Sequence, residues 1–170
     1  MFDTYGPFTL EREGHHKDGI DRLYKEGFRR DETENIENGI GVYIVASENS
    51  DGELIPQYVG RTEYEFGTRL KQHFDNGKFI DLVAEGAIKI FLIARAIEGH
   101  IVTKDEATEK DVLLIQQLEH DLIDHCVNLN KKLLNVQNRK KREVYVAGYR
   151  GDVAPKRSPA ALELGKLLKT

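Results

Sequence analysis

The chain has a single cysteine, Cys126, in 170 residues. One thiol excludes an internal disulfide framework and any zinc site built from cysteines. Long apolar runs are missing too: nothing approaches the roughly 18–20 residues that a membrane span requires. The opening Met1-Phe2-Asp3-Thr4-Tyr5-Gly6 has neither the basic start nor the apolar middle of a secretory signal. Internal repeats and low-complexity segments are also absent. Together these absences predict a cytoplasmic protein with no membrane partner. What is present is 39% hydrophobic and 32% charged residues, a globular composition rich in charge. The length suits one domain with its own core rather than two.

The formal net charge of −4 hides an asymmetry. Residues 1–60 carry 6 Lys+Arg against 13 Asp+Glu, whereas residues 131–157 carry 9 against 2. The second stretch contains Lys131, Lys132, Arg139, Lys140, Lys141, Arg142, Arg150, Lys156 and Arg157. Phosphate binding depends on local placement of cations, not on the charge of the whole chain. The stretch alone is equally consistent with a solvated charged loop and with a nucleic-acid patch.

Periodicity organises the rest. Ile20, Leu23, Tyr24 and Phe28 recur at helical spacing and predict a short helix over 19–28. Asn38-Gly39 is a turn signal. Residues 41–46, β-branched and aromatic, predict a strand. The polar turn Asn49-Ser50-Asp51-Gly52 leads to a second strand over 54–60, so the two form a hairpin. Helices are expected over 68–74 and 79–84, then a buried strand over 87–94. A long helix over 105–127 carries Ile115, Leu118, Leu122, Ile123 and Cys126 on one stripe. A terminal amphipathic helix is expected over 160–168. The order predicts an α+β fold with a small central antiparallel sheet flanked by helices.

Four features could carry chemistry, and each has a plain structural explanation. Glu119 lies four residues from both Ile115 and Ile123, hence on the inward face of the long helix. A carboxylate there is costly unless it is paired or bound to a cation, so a buried salt bridge competes with a metal role. Arg69 and His73 are neighbours at i and i+4, with Leu70 and Phe74 offering an anchoring pair around the same helix. Arginine suits the charge of a pentacovalent phosphate and histidine suits proton transfer, although an ordinary exposed helix face would look the same. Tyr43 and Tyr58, one on each hairpin strand, would usually be packing residues. Asn135, beyond the long helix, would usually be a turn or cap residue.

Their order is more informative than any one of them. Gly41-Val42-Tyr43, Tyr58-Val59-Gly60, Arg69 with His73, Glu119 within Leu118–Ile123 and Leu133-Leu134-Asn135 follow one another along the chain. This succession resembles the GIY-YIG nucleases, over roughly residues 39–137. Tyr43 and Tyr58 are separated by 14 residues, more than in the family's shortest hairpins, with the extra length in a polar turn where insertion costs little. The resemblance implies a nuclease domain over 39–137, an N-terminal extension over 1–38 and a basic C-terminal extension over 138–170. It also implies a metal-dependent hydrolase of DNA phosphodiester bonds.

By that resemblance Glu119 would hold one Mg²⁺ or Mn²⁺ per active site, and Arg69 would bind a nonbridging oxygen. Tyr43 would be the base, with His73 taking its proton, and Tyr58 a positioning donor. Asn135 would brace the site, while Arg61 and Lys71 would contact substrate phosphate. A restriction-type enzyme, acting most simply as a homodimer because one such site cuts one strand, is the leading expectation. A nicking or structure-selective nuclease and a non-catalytic nucleic-acid-binding module are the alternatives.

Overall fold

The computed structural model describes residues 1–10, 36–134 and 159–168. Its centre is a five-stranded antiparallel sheet. The strands are β1 (Phe2–Leu10), β2 (Gly41–Glu48), β3 (Leu54–Thr62), β4 (Ile88–Ile97) and β5 (His100–Ile101). The spatial order is β1-β4-β2-β3, with the short β5 folded back on β4. The expected α+β class with a central antiparallel sheet is therefore observed. The helices are α1 (Phe66–Asp75), α2 (Ile80–Glu85), α3 (Glu109–Leu129) and α4 (Pro159–Leu167). No helix among the described residues is long and apolar enough to cross a membrane.

The hairpin β2–β3 forms where the turn residues predict it. The Asn49 side-chain oxygen accepts hydrogen bonds from the backbone N–H of Asp51 (3.0 Å) and Glu53 (2.8 Å), an Asx arrangement that favours a turn. Opposite Val45 and Ala46 the register shifts, because Tyr58 pairs with Val45 and Pro56 with Ala46. The extra residue is Gln57. Pro56 cannot donate to a ladder, and β3 tolerates it as an edge strand.

Sheet alternation divides the core in two. Val42, Ile44 and Val59 pack with Ile115, Leu118, Leu122 and Cys126 of α3 and with Leu164 and Leu167 of α4. Tyr43, Val45 and Tyr58 pack on the opposite side with Phe66, Leu70 and Phe74 of α1, and with Phe79. Both faces of β2 are covered, which is why its sequence is a continuous apolar run rather than an alternation.

Two elements differ from the sequence expectation. Phe2–Leu10, read as part of an acidic extension, is a strand paired along β4 from Phe2↔Arg95 to Leu10↔Ile88. Gly6-Pro7 inside it reads as a breaker, but the register shift between Tyr5 and Phe8 absorbs those residues at the sheet edge. The long helix begins at Glu109 and is preceded by a separate 3₁₀ turn, Lys104–Glu106. Two consecutive capping boxes, Thr103 with Glu106 and Thr108 with Asp111, each start a helix and so divide the segment. Asp111 also accepts from Arg95 Nε at 2.7 Å, and Arg95 donates to the carbonyl of Met1 at 2.8 Å. This buried ion pair ties the start of α3 to β4 and to the first residue. The helix expected over 19–28 and the basic residues from Arg139 to Arg157 lie outside the described residues.

Candidate active site

The hairpin presents Tyr43 and Tyr58 on the same face of the sheet, and α1 lays His73 against them. Ring centroids are 6.0 Å apart for the two tyrosines, 5.9 Å for Tyr43 and His73, and 5.7 Å for Tyr58 and His73. Tyr43 Oη and His73 Nε2 lie 2.6 Å apart, a buried hydrogen bond between residues 30 positions apart in sequence. Gly60 makes this approach possible, because it pairs with Tyr43 across the ladder and has no side chain to obstruct the ring. A Cβ on Gly60 would lie 2.5 Å from Tyr43 Oη and 2.6 Å from Tyr58 Cε1.

The electrostatics of this face follow from burial and two cations. Burial pushes the Tyr43 hydroxyl well above the usual tyrosine range, Tyr58 adds to the effect, and Arg69 opposes it. Tyr43 is completely enclosed and remains a phenol at neutral pH, which favours proton relay over a phenolate base. His73 is pulled down to about 4 by burial first, then by the charges of Lys78 and Arg69. Its imidazole is therefore neutral at pH 7. The sequence places His73 beside Arg69 on a polar rim; instead it is buried with Leu70 and Phe74, while Arg69 is half-buried.

That arrangement sets a pH dependence. The unfolded chain protonates His73 near 6.5, the folded chain only near 4. The contribution to stability is thus fully present above about pH 6.5 and is lost as the pH falls toward 4. Allowing for partial solvent screening, the loss is on the order of 2 kcal/mol. Urea unfolding of wild type and His73→Gln at pH 7 and pH 4.5 should show the difference between them moving by that amount. A difference independent of pH would mean that the imidazole is hydrated in the fold.

Arg69 Nη1 donates to Gln72 Oε1 at 3.3 Å, and no acidic partner accompanies it among the described residues. Lys78 Nζ donates to Tyr58 Oη at 2.9 Å and lies 4.1 Å from the centre of that ring. Nothing in the residue type singles out Lys78; the local signal for its position is Asn76-Gly77, a helix stop that turns the chain back on α1. Lys71, expected at substrate phosphate, is exposed and paired with Asp75 at 2.8 Å along its own helix.

The second group sits across the sheet. Arg61 follows Gly60 on β3 and projects to the α3 side, where its guanidinium bonds the buried Glu119 and, at 3.2 Å, Glu63. Gln116 Nε2 donates to Glu63 at 3.1 Å, and His120 Nε2 is 4.0 Å from Glu119 Oε2. Edge strand β3 thus carries members of both groups, Tyr58 to one face and Arg61 to the other. The salt-bridge explanation of Glu119 is realised in the structure, and Arg61 is its partner.

Glu119 and Glu63 offer hard oxygen donors of the kind Mg²⁺ and Mn²⁺ take, and one carboxylate with waters is a common arrangement beside phosphates. The donor set fits one such ion, with Arg61 as the competitor for the same oxygens. Among the described residues no three His, Cys, Asp or Glu side chains cluster as an all-protein cage. Asn135 lies outside the described residues. Asn130, immediately after α3, donates to the Pro56 carbonyl at 2.7 Å and to Gln57 Oε1 at 3.1 Å, tying the end of α3 to β3. Comparison of the chain with protein-family models, with curated proteins and with solved structures finds no match.

Proposed function

We propose that the protein is a metal-dependent endonuclease of the GIY-YIG type that hydrolyses phosphodiester bonds in DNA. The observation that carries the reading is the 2.6 Å hydrogen bond between Tyr43 and His73, in a cluster flanked by Arg69 and Lys78, two cations without acidic partners among the described residues. Unneutralised cations beside a neutral imidazole and two phenols suit an anionic substrate and a proton to be moved.

In this reading Arg69 binds a nonbridging phosphate oxygen and strengthens its contact as charge develops in the transition state. His73, neutral at pH 7, takes the proton of the attacking water through the tyrosine hydroxyls. Glu119, on the other face of edge strand β3, would hold one Mg²⁺ or Mn²⁺, and such an ion would supply Lewis-acid stabilisation of the leaving oxygen. The finer proposal is a restriction-type enzyme that makes double-strand breaks as a homodimer; nicking or structure-selective cleavage is its rival. The pairing of Arg61 with Glu119 favours a second reading, a nucleic-acid-binding module without catalysis, since the carboxylate is already neutralised.

Supercoiled plasmid separates these readings. Cleavage that appears with Mg²⁺ and disappears with EDTA is expected, with discrete fragments for a restriction enzyme and open circles for a nicking enzyme. Metal-independent binding with no cutting, on plasmid and on branched DNA alike, would leave the binding module.

A further inference from the structure

Lys78 reaches the site by way of the turn that ends α1. Gly77 adopts a φ of +70°, which glycine takes without strain. The backbone N–H of Gly77 donates to the Phe74 carbonyl and that of Lys78 to the His73 carbonyl, both at 2.9 Å. This paired closure is a Schellman arrangement, and it fixes the Lys78 backbone directly on the turn that carries His73. The side chain then crosses Tyr58, with Nζ 2.9 Å from the phenol oxygen.

An ammonium has three N–H donors and no acceptor. In this contact Tyr58 can only accept, and two donors of Lys78 remain for other acceptors. The residue is exposed, so those donors are open to an incoming ligand. Around Tyr58 stand Tyr43, His73 and Phe79, with ring centroids at 6.0, 5.7 and 5.4 Å. None of them is anionic at neutral pH, and among the described residues the charge in contact with Tyr58 is the Lys78 cation. Lys71 shows the contrast, since its ammonium has the Asp75 carboxylate as a partner, an anion that offsets its charge.

We infer that Lys78 is a phosphate-binding residue of this site and the residue that positions Tyr58. One ammonium bridges the phenol oxygen and a nonbridging oxygen of the scissile phosphodiester. The inference rests on the nuclease reading for the identity of the anion, and it assigns Lys78 the phosphate role that the sequence placed on Lys71.

The test uses Lys78→Met, Lys78→Arg, Tyr58→Phe and the Lys78→Met/Tyr58→Phe double variant of the full chain. A short DNA duplex is titrated in EDTA across a range of NaCl concentrations. Single-turnover cleavage is then measured with Mg²⁺ at saturating DNA. Lys78→Met should flatten the slope of log Kd against log salt by about 0.9, one phosphate contact, and slow cleavage about 10- to 100-fold. Lys78→Arg should keep the slope and recover only part of the rate, because a planar fork replaces a point charge. In the Tyr58→Phe background Lys78→Met should cost far less than it does alone, because the two residues act as a unit.

An unchanged salt slope together with independent, multiplicative rate losses would overturn the assignment. A wild-type protein that binds DNA with the Lys78-dependent slope but never cuts overturns the nuclease reading and upholds Lys78 as a phosphate ligand. Neither binding nor cutting by wild type overturns both. Melting curves for each variant check that the fold is intact, as an exposed lysine predicts.

Discussion

Arg69→Ala and Glu119→Gln should each reduce metal-dependent DNA cleavage by about a thousandfold or more, the scale of losing a group that acts on transition-state charge. The two variants reach that result by different routes, which makes them a joint test. Arg69 is half-buried and its side chain bonds Gln72 and the Tyr43 hydroxyl, so its removal should cost about 1 kcal/mol. Glu119 is buried against Arg61, and breaking a fully buried pair costs about 3–5 kcal/mol. Here the cost should be smaller, on the order of 1–2 kcal/mol, because the Arg61 side chain is 31% exposed and keeps Glu63. Cleavage of plasmid, measured beside urea unfolding curves, checks both halves. Full activity in either variant would remove that residue from the chemistry and with it the proposed mechanism.

The largest structural effect should come from Gly60→Ala. The added Cβ meets Tyr43 Oη at 2.5 Å, Tyr43 Cζ at 2.6 Å and Tyr58 Cε1 at 2.6 Å. Two of these atoms belong to an enclosed ring that is hydrogen-bonded to His73, and a rigid ring in a filled core has nowhere to move. Overpacking of this kind costs about 1–3 kcal/mol, and the hairpin must also shift the two hydroxyls on which the proposed proton relay depends. Gly86→Ala is the control, since nothing lies within 4 Å of a Cβ there. A destabilisation confined to Gly60→Ala, together with lost cleavage, is expected from chemical denaturation and plasmid assays. Equal behaviour of the two variants would show that Tyr43 and Gly60 are not in the close register described above.

Much of the fold could be read from local pattern. The hairpin follows from a β-branched run, an Asn-Ser-Asp-Gly turn and a second run, and such pairing needs only neighbours in sequence. The α1 and α3 positions follow from spacings of three and four. The edge strand β1 is not legible in sequence, because Gly6-Pro7 signals a break and its partner residues on β4 lie 78 to 93 positions away. The helix starts at Glu109 rather than at 105 for a local reason: two capping boxes in succession divide the segment.

For the site, residue identity was available from sequence and neighbourhood was not. Tyr43, Tyr58, Arg69, His73 and Glu119 stand out by type and order along the chain. Whether His73 faces water or Tyr43 depends on how α1 rolls against the sheet, a choice made by Leu70, Phe74 and Phe79 packing beneath it. The Glu119 partner is Arg61, 58 positions away, and the spacing of α3 carries no information about β3. Lys71 and Lys78 are equivalent as letters; one is paired with Asp75 four residues along its helix, while a left-handed glycine turns the other onto Tyr58. By itself the sequence determined the elements and the chemical repertoire, because periodicity and turn chemistry act over a few residues. Only the tertiary structure decided which groups meet, which charges stay unneutralised and which sheet face each occupies, because burial and ion pairing depend on residues that the chain brings together from far apart.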